Sequence, residues 1–432
     1  MQAIGSISVL DGPVFLACFL VLAALLVLLA TPGPGVRRPS QRHLATVAVG
    51  AVVGGAVGAI LTWLLSDVLN VFGLSLTWVV RWADTVAFAA WGMALVNLVR
   101  TRWWRKMVAV ATAALTLFCL GLVFNLDFGK FPTFGDAIGL SYTDAARLPP
   151  RAAQLPALAD WQPPAQIPAT GRVGHLPIPA PVSGFPAREA YVYLPPAALV
   201  ADPPALPVVV VLGGQPGEPA DLFRAGRLDV LLDRIAAAHS GVAPIVVVPD
   251  QLADPSANPM CVDGPAGASE TYLTVDVPAW IRAHLGVTAD RTGWTIAGFS
   301  QGGTCAIQLG AGHPELFGSV IDVSGEEAPS LGGRTVTIDQ GFGGDEAAYL
   351  AATPAGLLAA HAPYPDSWAL FAAGEADSAY SASMRAVAAR AASAGMRVEI
   401  DVSPGTGHDW NTARYGLQSG FTRLLQRWGI PG

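Results

Sequence analysis

Residues Gly298-Phe299-Ser300-Gln301-Gly302 put the tightest constraint on what this chain can fold into. They follow the apolar run Trp294-Thr295-Ile296-Ala297 and precede the helix-like run Gly303-Thr304-Cys305-Ala306-Ile307-Gln308-Leu309. G-x-S-x-G between a strand and a helix predicts a turn so tight that a Cβ at either flanking position would clash. Such a turn strains the serine backbone and lifts its hydroxyl above a sheet. The pentapeptide alone is a weak pattern. Gly407-His408-Asp409, far downstream, adds the second element that gives it meaning.

The residues around this turn alternate between strand and helix patterns. Arg188–Leu194 alternates apolar and polar residues, as a half-buried strand does. Pro207–Leu212 and Ile245–Val248 are short Val/Ile runs of the kind buried in parallel sheets. Asp221–His239 and Leu273–Leu285 have helical spacing. Further strands are expected at Thr295–Ala297, Ser319–Val323, Ser367–Ala373 and Arg397–Val402, with helices at Ala379–Ala394 and Ala413–Trp428. Repeated βα alternation predicts a mostly parallel sheet with helices on both faces.

The first 126 residues are of another kind. Hydrophobic residues make up 52% of the chain and charged residues only 13%, too apolar for an ordinary soluble protein. The excess lies in four stretches, Pro13–Ala30, Leu44–Leu65, Trp78–Val99 and Met107–Leu126, each long enough to cross about 30 Å of hydrocarbon as a helix. Basic residues fall in the first connection (Arg37, Arg38, Arg42) and the third (Arg100, Arg102, Arg105, Lys106), whereas the second has only Asp67. The excess of positive charge on cytoplasmic loops then places everything after Leu126 outside the cell membrane. Gly50, Gly54 and Gly58 recur every fourth residue and predict a close-packing face within the bundle. Arg81 and Asp84, three residues apart near the outer end of the third segment, are expected to pair with each other. A Pro-rich stretch, from Leu148-Pro149-Pro150 through Pro168, reads as a stiff extended spacer. The predicted organisation is a four-helix transmembrane module (1–126), a juxtamembrane and Pro-rich linker (127–170), and an extracytoplasmic α/β domain (171–432).

Cys18 and Cys119 fall inside membrane segments and read as small apolar fillers. Cys261 and Cys305 fall in the domain that the charge pattern places outside, where an oxidising compartment favours a disulfide between them.

A serine hydroxyl is a poor nucleophile at neutral pH and needs a base, which in turn needs an orienting carboxylate. Ser300, an acid and His408 occur in the chain order that a strand–turn–helix serine site requires. His408 sits in a glycine-rich loop after the last strand. The acid is expected after the strand ending at Ala373, where Gly374-Glu375-Ala376-Asp377 offers two carboxylates. Asp377 is preferred, because its place after the turn faces the histidine loop; Glu375 is the alternative. Acyl transfer also needs amide donors for an oxyanion. Gln301, directly after the serine, offers one, and Gln215 or Gly214 in Gly213-Gly214-Gln215-Pro216-Gly217 offers the other. Net charge is −7, so no basic field for nucleic acid exists. No zinc-ligand cluster, Walker loop or dinucleotide fingerprint accompanies these motifs, so no metal or cofactor is expected.

With the serine turn, the Gly-Gly-Gln-Pro-Gly loop, Gly-Glu-Ala-Asp and Gly-His-Asp-Trp in place, residues 171–430 resemble the esterase branch of the α/β-hydrolases. That branch includes esterase D-like enzymes and mycolyltransferases. Four preceding membrane helices and the runs Pro259–Gly264 and Glu270–Leu273 are similar to those of a narrower group, the actinobacterial membrane-anchored esterases, some of which hydrolyse aminoacylated membrane lipids. The resemblance implies an α/β-hydrolase domain preceded by a four-helix membrane module. It further implies a serine ester hydrolase using Ser300, Asp377 and His408 on a lipid-like ester next to the bilayer. The alternatives are an acyltransferase of the mycolyltransferase type and a non-catalytic hydrolase-fold binding domain.

Overall fold

The computed structural model describes residues 7–10, 12–31, 41–69, 71, 76–99, 101–138, 145–151 and 154–430. The chain divides into two compact units, Met1–Leu140 and Ser141–Gly432.

In the first unit, four helices are long and apolar enough to cross a membrane: α1 (Gly12–Ala30), α2 (Gln41–Trp63, prolonged by a π-helical turn to Val68), α3 (Trp78–Leu98) and α4 (Trp103–Phe128). The glycine face of α2 packs on α3, where a Cβ at Gly50 would lie 2.8 Å from the carbonyl oxygen of Gly92. Helix α4 begins four residues before the apolar run does, which brings Arg105 and Lys106 into its first turn. The buried Arg105 guanidinium donates to the Leu28 carbonyl (3.3 Å) and the Thr31 carbonyl at the end of α1, and to Asn97 Oδ1 of α3 (3.1 Å). Carbonyls left over at a helix C-terminus thereby gain a cationic donor. The expected Arg81–Asp84 pair does not form. Arg81 pairs with Asp67 at 2.6 Å, and Asp84 instead accepts from Thr62 Oγ1 (3.1 Å). The π-helical turn at the end of α2 carries Asp67 up to the guanidinium. Of the basic residues used to orient the helices, Arg37, Arg38 and Arg100 lie outside the described residues.

The second unit is built on an eight-stranded sheet in the order β1-β2-β4-β3-β7-β8-β9-β10. The strands are β1 (Arg172–Leu176), β2 (Ala190–Leu194), β3 (Val208–Leu212), β4 (Ile245–Val248), β7 (Trp294–Phe299), β8 (Ser319–Val323), β9 (Trp368–Gly374) and β10 (Arg397–Ser403). A small hairpin, β5 (Asp263–Gly264) and β6 (Gly267–Ala268), stands apart. Only β2 runs against the rest. The β-branched run Val208–Val211 makes β3 a fully buried centre strand, flanked by the equally buried β7. Connections leave β3 toward β4 on one side and leave β7 toward β8 on the other. The carboxyl ends of β3 and β7 therefore flank the switch point where open α/β sheets form their ligand crevice.

Two expectations change here. The predicted helix Asp221–His239 is broken into Asp221–Arg224 and Leu228–Ala238, because Gly226 packs against the Leu222 backbone and Arg227 takes a left-handed conformation (φ 50°). The Pro-rich stretch does not stand free as a spacer either. Leu148, Leu158 and Trp161 pack against the core, the Pro156 carbonyl accepts from Ala205 N (2.9 Å), and Trp161 Nε1 donates to the Asp202 carbonyl (2.9 Å). The second unit thus starts well before residue 171, and residues 152–153 of the stretch lie outside the described residues.

Candidate active site

The turn after β7 has the geometry its sequence requires. Ser300 sits at φ 60°, ψ −122°, a region that side-chain-bearing residues rarely enter, and the helix Gln301–Gly312 starts directly behind it. A Cβ on Gly298 would strike the Gly302 carbonyl, and one on Gly302 would strike the Leu212 and Gly213 carbonyls. Two anchors hold the turn: Ser300 N donates to the Val323 carbonyl (2.8 Å), and Thr304 N donates to the Ser300 carbonyl (3.0 Å).

Three side chains from three strand ends meet at the hydroxyl. His408 Nε2 lies 2.8 Å from Ser300 Oγ, and His408 Nδ1 lies 3.1 Å from Asp377 Oδ2. Asp377 is the N-cap of the helix Ser378–Ser393; its Oδ1 accepts from Tyr380 N (3.4 Å) while Oδ2 faces the imidazole. Glu375 is not brought to the histidine. Its Oε2 accepts from Gly405 N (2.8 Å) and so braces the loop that carries His408. Asp409, next to the histidine, turns away to cap the helix Trp410–Arg427 through Asn411 N (2.7 Å) and Thr412 N (3.0 Å). Two aromatic rings pack on the imidazole, Tyr380 at 3.9 Å and Phe299 at 5.2 Å between centroids.

Opposite the histidine, a Cβ on Gly214 would come within 3.4 Å of Ser300 Cβ, so the Gly213–Gly217 loop lies against the turn. Gln301, next to Ser300 in the chain, provides the first amide of its helix. The Gln215 side chain turns outward, with Nε2 donating to the Ser256 carbonyl (2.9 Å). Cys261 and Cys305 form a disulfide across 5.6 Å between Cα atoms, joining the segment after β4 to the helix behind Ser300. No group of His, Cys, Asp and Glu able to hold a metal occurs among the described residues.

Sequence reasoning missed three neighbours of the site. Gln251, buried just beyond β4, bonds both the Gly213 carbonyl (2.8 Å) and Gln301 Oε1 (3.2 Å). Glu326, three residues past β8, has its amide bonded to Thr304 Oγ1 (2.9 Å). Burial pushes its carboxyl above the usual range, and the charge of the nearby His408 pulls the other way. The Tyr380 phenol is pushed up first by burial and then by the charges of Glu326 and Asp377. Position was the available signal. Each follows the end of a parallel strand or the proposed acid, at the edge where such sheets bind ligands.

The sheet order, the turn and its neighbours define an α/β-hydrolase-fold protein. More particularly, the chain belongs to the family described as "Putative esterase", whose model matches residues 187–419. It is 35% identical over 356 residues to an uncharacterized protein of Corynebacterium glutamicum, covering 78% of this chain and 81% of that one. Among solved structures it resembles a ferulic acid esterase (TM-score 0.51, 18% identity, 60% of this chain and 98% of that one). An S-formylglutathione hydrolase from Agrobacterium tumefaciens is similar to the same degree (TM-score 0.51, 21% identity, 61% and 99%). At these identities the two structures speak to the fold alone.

Proposed function

We propose that this chain is a membrane-anchored extracytoplasmic serine esterase that hydrolyses an ester of a membrane or envelope lipid, an aminoacylated lipid in particular. The observation that carries the chemistry is the unbroken path Ser300 Oγ–His408–Asp377, at 2.8 and 3.1 Å. Ser300 Oγ attacks the ester carbonyl as His408 Nε2 takes its proton. The charge that appears on the imidazole is stabilised by Asp377 through Nδ1. The carbonyl oxygen becomes an oxyanion held by the amides of Gln301 and the Gly214–Gln215 loop. Collapse breaks the carbon–oxygen bond, and the imidazolium returns its proton to the departing alkoxide. The alcohol leaves and Ser300 is acylated. Water then attacks the acyl-enzyme by the same route, releasing the acid and restoring the hydroxyl.

The lipid reading is supported by four preceding helices of membrane-spanning length, and the outside location by the basic connections between them. The aminoacyl reading is supported by Glu326, a half-buried carboxylate near His408 whose charge would complement a cationic group on the acyl part. The test joins two measurements on the full chain. A fluorophosphonate should label it once, at Ser300, and Ser300→Ala should lose both labelling and turnover of a p-nitrophenyl ester. Retained activity in Ser300→Ala would reject the esterase reading. Lipid profiling of a deletion strain should then reveal an accumulating ester lipid; an unchanged ester-lipid profile would reject the substrate class while leaving the chemistry intact.

A further inference from the structure

We propose that Gln251 is a positioning residue that fixes the separation of the two oxyanion amides, one in the Gly213–Gly217 loop and one at Gln301. This role rests on the esterase reading above. A buried carboxamide must place its polar atoms. Gln251 is 3% exposed, and its side-chain NH₂ has two protons for two acceptors, the Gly213 carbonyl at 2.8 Å and Gln301 Oε1 at 3.2 Å. Gly213 opens the loop that lies against Ser300, and Gln301 follows Ser300 in the chain. One amide group therefore spans the two segments to which the esterase reading assigns the oxyanion donors.

The arrangement is held from both ends. Gln301 Oε1 is committed to Gln251, which directs Gln301 Nε2 to Asn258 Oδ1 (3.1 Å) and Cys305 Sγ (3.2 Å). The backbone beneath Gln251 is equally fixed. The fully buried Asp250 carboxylate receives Arg188 Nη2 (2.7 Å) and Nε (2.9 Å), and the amides of Arg188 (2.8 Å), Leu252 (3.1 Å) and Ala253 (3.1 Å). Ser269 Oγ donates to the Gln251 carbonyl (3.2 Å). Arg188 Nη2 also donates to the Gly217 carbonyl (3.1 Å), so the anchor that holds Gln251 grips the far end of the oxyanion loop as well. Two further ties of the loop, Gly217 N to the Pro255 carbonyl (3.0 Å) and Gln215 Nε2 to the Ser256 carbonyl (2.9 Å), reach the segment after β4. Gln251 bonds both the loop and the helix.

An oxyanion exists only at the transition state and in the tetrahedral intermediate, so its donors act on kcat rather than on ground-state binding. Removing one such donor costs about 10²–10³ in kcat. Displacing a donor that stays nearby should cost less, about tenfold to a hundredfold.

The test uses the purified full chain in mild detergent. Gln251→Met keeps the length but donates nothing. Gln251→Glu is isosteric and sets carboxylate oxygens against the Gly213 carbonyl. Gln301→Met removes the other end of the same contact. Each should lower kcat for p-nitrophenyl butyrate about tenfold or more, with KM within about twofold. Affinity for a trifluoromethyl ketone, which adds to a serine to form an oxyanion, should fall by the same factor as kcat/KM. The acid limb of the kcat/KM pH profile should keep its wild-type midpoint, because the His408–Asp377 pair is untouched. The double variant Gln251→Met/Gln301→Met should lose no more than the worse single variant. Wild-type kcat in any folded variant, unchanged ketone affinity, or additive losses would overturn the proposal. Ser300→Ala is assayed in parallel. Activity retained there removes the esterase reading itself, whereas an inactive Ser300→Ala beside wild-type Gln251 variants removes only the positioning role.

Discussion

Asp322→Asn should flatten the pH dependence of the second unit's stability. Asp322 lies on β8 directly behind the site, where a Cβ on Gly303 of the helix Gln301–Gly312 would meet its Oδ1 at 2.6 Å. Oδ1 accepts from Gly325 N (2.8 Å), and the buried Oδ2 has no partner among the described residues. Burial pushes the carboxyl from its ordinary 3.8 up to about 7, against the pull of the Gly325 hydrogen bond. The sign follows from proton counting. Between about pH 4 and pH 7 the folded chain keeps a proton that the unfolded chain has released, so stability falls as pH rises through this window. Above about pH 7 both states are ionised and the cost of the buried charge is complete. At 1.36 kcal/mol per pH unit the gap corresponds to about 4 kcal/mol. Asparagine is isosteric, keeps the acceptor for Gly325 N and is neutral at every pH. Any constant offset from its own NH₂ does not alter the slope. The difference in unfolding free energy between variant and wild type should therefore grow by several kcal/mol between pH 4.5 and 8 (about 4 at most). Pulse proteolysis of the full chain across a urea series, repeated at several pH values, reads this directly. Parallel stability curves for the two proteins would refute the reasoning, because a carboxyl already ionised at pH 4.5 would give no slope difference.

Four further outcomes are expected. Asp377→Asn should cost up to about 10⁴ in kcat by favouring the wrong imidazole tautomer; Glu375→Gln, which removes only charge from a brace to Gly405 N, should cost far less, and the reverse order would exchange their roles. Breaking the disulfide with Cys261→Ser should destabilise the second unit by about 4 kcal/mol on the loop-entropy estimate for a separation of 44 residues, and two free thiols in exported protein would remove the basis for this. Glu326→Gln should lower the preference for an alanyl over an isobutyryl p-nitrophenyl ester about tenfold, the scale of one charge-assisted hydrogen bond, and an unchanged ratio would withdraw the ammonium contact. A reporter that is active only when exported should be active when fused after residue 150; activity of a cytoplasm-only reporter there would invert the proposed topology.

The elements legible in the sequence are those where one periodicity decides the outcome. Val208–Leu212 and Ile245–Val248 are continuous apolar runs and form strands within a residue of the expected ends. The four helices of membrane-spanning length follow from their long apolar runs. Expectations shift where a long-range contact decides instead. Prolines at 149, 150, 156, 163, 164 and 168 remove periodicity, so the stretch reads as a spacer. Yet the stretch still finds a donor and an acceptor on the sheet unit, the Pro156 carbonyl accepting from Ala205 N and the Trp161 indole donating to the Asp202 carbonyl. Arg81 and Asp84 are neighbours on one helix turn, but Asp67 reaches the same guanidinium from another helix. Spacing along one helix says nothing about that rival. The short helices Arg334–Gly341, Glu346–Ala352 and Pro354–His361 lack a clear apolar stripe, so no pattern in the sequence marks them.

The site divides along the same line, and the reason is geometric. Parallel strands deliver their C-terminal loops to one edge, so strand order alone brings Ser300 after β7, an acid after β9 and a histidine after β10 to a common place. Choosing between carboxylates two residues apart is a different problem, because it depends on where each side chain points once the turn has closed. Asp377 N bonds to the Gly374 carbonyl and Ala376 N to the Thr406 carbonyl, which fixes the turn and aims Asp377 along the start of its helix toward the imidazole. Glu375 N bonds to the Ser403 carbonyl, and the longer side chain then reaches across to Gly405. Gln251 shows the limit most clearly. Nothing in Pro249-Asp250-Gln251-Leu252 marks it as part of a catalytic apparatus. Its importance lies in the other ends of its two hydrogen bonds, 38 and 50 residues away in sequence. A residue that acts by bridging two segments becomes visible only when both segments are in place.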